Sequence, residues 1–230
     1  MKAMISVGRP FLNFVLSGLA DAGFNEICLV IGPEHDAIRD HYSSKELRRL
    51  RLHYAIQPEP RGTADAVLSA QSFVGDDEFI VLNSDNYYPP EALRKLRELG
   101  SPGTVMFDEE SLVRNSNIPR ERIRQFAYAK VDANRFLVDL VEKPSEPATQ
   151  RDKVLVSMNC WRFSPAILNF CRSTPLSTRG EYELPSAVLA AVRSGMAFKV
   201  LTSDCGVLDL SVRRDIASVA ERLSGVEVSL

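Results

Sequence analysis

No run of apolar residues in this chain approaches the roughly 20 that a membrane span needs. The first residues also lack the pattern of a signal peptide. No CxxC pair occurs. Cys28, Cys160, Cys171 and Cys205 are scattered, which argues against a zinc site or a disulfide framework and fits a reducing cytoplasm. Cys160 and Cys171 read most simply as buried thiols. Neither charge is in excess: 28 Lys and Arg face 30 Asp and Glu, for a net −2. There is no basic excess to suggest a nucleic-acid surface and no long acidic tail. Internal repeats and low-complexity stretches are absent. What remains is a chain of 230 residues, 45% hydrophobic, enough for one large domain with a proper core or at most two small ones. The expected protein is cytoplasmic and binds neither nucleic acid nor membrane; its oligomeric state is not encoded in the composition.

The stretch that organises the chain is Glu78–Asn86, EFIVLNSDN. Four apolar residues stop abruptly at Asn83, Ser84, Asp85 and Asn86, which reads as a strand buried on both faces. In open parallel sheets, ligands sit beyond the carboxyl ends of such strands. Asp85 is thus either a carboxylate delivered to a site or a turn aspartate bonding its own backbone. Before it, Pro10 opens a helix with a wide apolar face that stops near Gly23. Glu26–Ile31 is a second buried strand, His35–Tyr42 a short helix, Leu52–Gln57 a strand and Thr63–Phe73 a helix. A helix over Pro90–Leu99 and a strand over Gly103–Phe107 follow. This alternation predicts an α/β fold: a mostly parallel sheet with helices on both faces.

The pattern changes after Phe107. Asp108–Gln125 is charged and polar, with a helix at Arg120–Arg124. Phe126–Asp132 and Phe136–Glu142 read as a hairpin, Pro144–Asp152 as a polar loop, and Val154–Phe163 as a strand carrying the single Trp161. Helices at Pro165–Arg172, Glu183–Arg193 and Ser211–Leu223 alternate with short strands at Phe198–Leu201 and Val207–Leu210. With no linker to separate it, this part reads as a small mixed β lobe on the same sheet.

Several motifs run in order along nearly the whole chain: KAMISVGRPFLNFVL, IQPEPRGTADAV, VLNSDN, VEKP, GEYEL and VLDLSVRRDIA. Each alone is weak; in this order and spacing they are specific. The chain resembles the sugar-1-phosphate nucleotidylyltransferases. The resemblance implies a Rossmann-like three-layer domain over 1–230, with a sugar-binding lobe over 108–200. It also implies transfer of a nucleotidyl group from a nucleoside triphosphate to a sugar 1-phosphate, release of pyrophosphate, use of Mg²⁺ and a place in carbohydrate biosynthesis.

Residue by residue, the resemblance assigns the nucleobase to Gln57 and to the Gly62-Thr63 backbone; read physically, the glycine permits close backbone approach and Thr63 starts a helix. It assigns the metal to Asp85 and Asp209, a hard oxygen pair that suits Mg²⁺ if both face one cleft within about 5 Å. Glu142 would accept hydrogen bonds from sugar hydroxyls and Lys143 would neutralise the sugar phosphate; a solvated pair at a strand end is the plainer alternative. Asn159 and Glu181 would contact the sugar; otherwise Asn159 is a satisfied core amide and Glu181 favours a helix N-terminus.

The chain departs from the family pattern at its start. The family opens with a strand and a glycine-rich loop of the form GGxGxRxxPxTxxxPK that grips the triphosphate. Here Lys2 matches the final lysine, and the strand, glycines and arginine have no counterpart. Ser84 and Ala129 stand where glycines are common. The expectation is a domain without its first strand and loop, inactive by itself because this chemistry relies on positioning and charge neutralisation. A non-catalytic sugar-nucleotide-binding or regulatory domain is the alternative. A metal-dependent glycosyltransferase ranks last, since Ser84-Asp85-Asn86 supplies one carboxylate of a DxD-type pair.

Overall fold

A computed structural model describes residues 2–142 and 154–230, with Glu142 described as backbone only. A 3-10 turn at Lys2–Met4 leads into α1 (Phe11–Asp21), β1 (Glu26–Ile31), α2 (Asp36–Ser43) and β2 (Arg51–Ile56). Next come α3 (Thr63–Ser69), α4 (Gln71–Val74), β3 (Phe79–Val81), β4 (Asn86–Tyr87), α5 (Pro90–Arg97) and β5 (Gly103–Asp108). The second half holds α6 (Glu109–Asn115), α7 (Arg120–Ile123), β6 (Ala127–Val131), β7 (Leu137–Glu142) and β8 (Leu155–Phe163). It closes with α8 (Ile167–Ser173), α9 (Leu184–Arg193), β9 (Lys199–Ser203), β10 (Leu208–Asp209) and α10 (Asp215–Arg222).

The fold is α/β, as the alternation predicted. β1 and β2 pair in parallel. β5 pairs in parallel with β9 and antiparallel with β8, and β3 is also antiparallel to β8. Hence β3, β5 and β9 run one way with β8 reversed among them. β6 and β7 form the expected hairpin. Asp132 Oδ1 shapes its turn by accepting from the N–H groups of Asn134 (2.9 Å) and Phe136 (2.8 Å).

Apolar side chains fill both sides of this sheet. In β5, Val105 and Phe107 join a core with α1, α5 and α10, while Met106 points into a second core with α3, α8 and α9. β8 alternates the same way: Val156, Met158 and Cys160 face the first core, Leu155, Trp161 and Phe163 the second. That second core unites the later lobe with Val67 and Val74 from the first half.

Three differences from the sequence expectations have clear causes. The helix expected over Thr63–Phe73 breaks at Ala70 into α3 and α4. The polar stretch after Phe107 contains α6, whose start is fixed by Asp108: its carboxylate accepts from Ser111 N at 2.8 Å, an N-cap interaction that rewards a polar sequence. Finally, the two apolar strands expected to be fully buried are not. Residues 27–30 of β1 and all of β3 are half-buried, whereas β5 is buried throughout. Among the described residues β1 pairs only with β2 and β3 only with β8. Their other edges face an open cavity.

Candidate functional site

Asp85 and Asp209 are brought together by a two-stranded sheet with two residues in each strand. β4 and β10 are antiparallel with Asn86 opposite Asp209, and Leu210 N donates to the Asp85 carbonyl at 2.8 Å. Asp85 lies in the turn between β3 and β4, and Asp209 ends β10. The two carboxylates are close enough to sense each other. Burial raises the Asp85 carboxyl above its ordinary range, the negative charge of Asp209 adds to this, and Lys2 opposes it. The Lys2 ammonium lies 3.8 Å from Asp85 Oδ2.

Asp209 is almost wholly buried and held from several directions. Asn117 acts as a substitute strand: its Nδ2 donates to the Asp209 carbonyl at 2.7 Å and its Oδ1 accepts from Asp209 N at 2.8 Å. Ser211 N donates to Asp209 Oδ1 at 2.6 Å. Arg122 Nη2 stands 4.0 Å from the same oxygen while Nη1 binds both oxygens of Asp215 at 3.1 and 2.9 Å. Arg122 Nε, Arg122 Nη2 and Asn86 Nδ2 are buried without a hydrogen-bond partner among the described residues, an uncommon and costly condition. Asn117, Arg122 and Asp215 escaped the sequence reading; only the packing of α6, α7 and α10 around β10 reveals them.

The remaining candidates divide. Lys2, Thr63, Asp85 and Asn159 line one cavity. Asn159 has φ 54°, rare for a residue with a side chain, at a register shift in which Thr104 pairs with Trp161 but Met106 pairs with Ser157. Such bulges re-aim side chains and recur beside active sites. Gln57 anchors its own loop: its Nε2 donates to the Gly62 carbonyl (3.1 Å) and to Asp65 Oδ2 (2.9 Å). Gly62 adopts φ 117°, and a Cβ there would meet the Tyr182 carbonyl oxygen at 2.5 Å, so only glycine fits. The Thr63 hydroxyl accepts from Leu184 N at 2.9 Å, serving the first turn of α9. Glu181 is exposed on the loop before α9 and lies outside the cavity lining. Lys143 lies outside the described residues, as does the side chain of Glu142.

A half-buried Asp85 beside a buried Asp209 suits a hard divalent cation, whose other ligands would be water and phosphate oxygens. Among the described residues no group of three His, Cys, Asp or Glu could hold a metal, so protein ligation would rest on these two. No helix among the described residues is long and apolar enough to cross a membrane.

The chain is similar to several known proteins along most of its length. The UTP–glucose-1-phosphate uridylyltransferase AglF of Haloferax volcanii is 26% identical over 226 residues, covering 96% of this chain and 87% of that protein. A glucose-1-phosphate thymidylyltransferase of Streptomyces antibioticus is 28% identical over 198 residues, covering 84% of this chain and 52% of that protein. The structure of a UDP-glucose pyrophosphorylase complexed with UDP-glucose superposes with TM-score 0.79 at 14% identity, covering 98% of this chain and 91% of that one. At that identity the likeness shows a shared fold. The profile of the family described as nucleotidyl transferase matches residues 1–209, and the chain belongs to that family.

Proposed function

We propose that this chain serves as a sugar-1-phosphate nucleotidyltransferase, joining a nucleoside triphosphate to a hexose 1-phosphate. The observation that carries the reading is the juxtaposition of Asp85 and Asp209 across the β4–β10 pair. The relatives named for glucose-1-phosphate uridylyl and thymidylyl transfer support the substrate class. In this reaction a phosphate oxygen of the sugar phosphate attacks the α-phosphorus in line. A new P–O bond forms, the bond to the β-phosphate oxygen breaks, and pyrophosphate leaves. No protein nucleophile is required; positioning and charge compensation supply the rate.

Asp85 and Asp209 would hold Mg²⁺, which when bound stabilises developing negative charge on phosphate oxygens. Lys2, beside Asp85, places a positive charge where the triphosphate would lie. Asn159 at its bulge would contact the sugar, Glu142 would accept hydrogen bonds from sugar hydroxyls, and Lys143 would neutralise the sugar phosphate. A point charge such as Lys143 suits a phosphate.

Calorimetric titration with nucleotide sugars in Mg²⁺ tests the reading. The expected result is saturable binding that weakens at least tenfold in Asp209→Asn, while Lys143→Ala weakens sugar-phosphate use and spares free nucleotide. Binding that ignores Mg²⁺ and Asp209→Asn alike would overturn it.

A further inference from the structure

Asp209 shares its buried surroundings with a second carboxylate. Asp215 opens α10, and its side chain is 5% exposed against 4% for Asp209. The Arg122 guanidinium of α7 reaches toward both, but unequally. Nη1 donates to both Asp215 oxygens, at 3.1 and 2.9 Å, while Nη2 stops 4.0 Å from Asp209 Oδ1. A charge-assisted N–H···O bond runs about 2.7–2.9 Å, so the Asp209 contact is about 1 Å too long to be one. Nε and Nη2, donors that together could grip a carboxylate in a fork, are buried and have no hydrogen-bond partner among the described residues.

Unmet donors this near a buried carboxylate should close on it, because leaving them unpaired is costly. Two sets of contacts hold the groups apart. Asp215 is fixed in the first turn of α10, where its Oδ2 accepts from Val212 N at 3.0 Å, and from there it holds Nη1. Asp209 is fixed by Asn117 along its backbone and by Ser211 N on Oδ1. Among the described residues no three acidic, His or Cys side chains could hold a metal together. Asp215 is therefore not a third ligand, and no further carboxylate makes up for a lost Asp209.

We infer that Asp215 is a positioning residue for the cation site: it withholds the Arg122 guanidinium from Asp209, so that the Asp209 carboxylate stays available to a divalent cation. The inference rests on the reading of Asp85 and Asp209 as cation ligands. At 4.0 Å, Arg122 still offsets part of the cost of burying the Asp209 charge, and it leaves the carboxylate lone pairs open. A closed fork would occupy those lone pairs and set a fixed positive charge in competition with the cation. Removing the Asp215 charge releases Nη1, and the guanidinium then closes on Asp209. Removing the guanidinium as well frees Asp209 again.

The probe is Mn²⁺ alone, which shares the preference of Mg²⁺ for carboxylate and water ligands. Free Mn²⁺ is read by electron paramagnetic resonance as the ion is titrated into the protein, so no turnover is needed. Asp215→Asn is expected to weaken Mn²⁺ binding at least tenfold, the scale of such supporting contacts. Asp215→Asn combined with Arg122→Met is expected to return to the wild-type affinity, although the ion pair between the two residues is not restored. Recovery of that kind separates withholding from a merely structural role. Arg122→Met alone, which does not depend on an Asp215 variant folding, is expected to bind Mn²⁺ at least as tightly as the wild type. A double variant as weak as Asp215→Asn, or weaker binding by Arg122→Met, would overturn the inference, because both residues would then only prop Asp209 in place. Asp209→Asn in the same titration tells the two readings apart. If it binds like the wild type, the cation reading falls and this inference with it. If it binds weakly while Asp215→Asn binds like the wild type, this inference falls alone.

Discussion

At the scale of single residues, the site keeps unfavourable electrostatics in place. Asp85 is partly buried beside the charge of Asp209, so its folded-state carboxyl titrates above its unfolded value. The sign follows directly: a raised carboxyl favours the neutral form, so its contribution to stability is present at low pH and is lost as pH rises through the folded value. At neutral pH, without metal, Asp85 is a liability. Asp85→Asn should therefore raise Tm by a few degrees in metal-free buffer while abolishing Mg²⁺-dependent nucleotide binding, the usual opposition of stability and function. Calorimetric scans with and without Mg²⁺ check this; a lower Tm in metal-free buffer would refute it. Asn117 is the converse case, a residue that supports Asp209 through its backbone. Asn117→Ala leaves a buried N–H and C=O unpaired, at a cost of about 1–3 kcal/mol. Such supporting contacts are typically worth about 10–100-fold in metal affinity. The expected signature is a rightward shift of the Mg²⁺ titration with unchanged saturation.

At the scale of elements, the legible features were those with a local cause. The FIVL run ending at Asn83, and the apolar face of α1 after Pro10, needed only periodicity and breakers, and both elements form there. α6 was missed because its cap, Asp108, lies within a charged stretch where no apolar period stands out. β10 is only two residues long, and its position rests on Asn117, remote in sequence. Motif order singled out Asp85 and Asp209 as candidates but not their neighbours, because Arg122 and Asp215 meet only after α7 and α10 pack. The loop at Gly62 shows how one backbone choice docks two distant elements. Tyr182 N donates to the Arg61 carbonyl at 2.8 Å, and Ala64 N to the Tyr182 carbonyl at 2.9 Å. Gly62→Ala would force a methyl group against that carbonyl at a φ that disfavours side chains. A loss of about 1–3 kcal/mol is expected, measured by urea denaturation, together with faster proteolysis in the loop before α9. A change within 0.5 kcal/mol or so, the range of ordinary surface substitutions, would mean that the loop is not held as described.

At the scale of the whole molecule, cohesion is uneven. β5 is paired on both edges, by β8 and β9, and is buried along its length. Among the described residues β1 and β2 pair only with each other, and their attachment to the rest runs through helix packing, chiefly α1 and Tyr42 of α2 in the first core. A pair of strands alone is marginal in water, and regions with fewer buried contacts and more exposed backbone bonds open with less free energy. Native-state hydrogen exchange should therefore separate two tiers. Amides of β5 and the facing part of β8 should exchange only through global unfolding. Amides shared between β1 and β2 should open locally, with protection at least tenfold lower and little dependence on denaturant at low concentrations. Equal protection in both tiers would show that the helices alone weld β1–β2 to the larger sheet, and that the unpaired edges cost the molecule nothing in cooperativity.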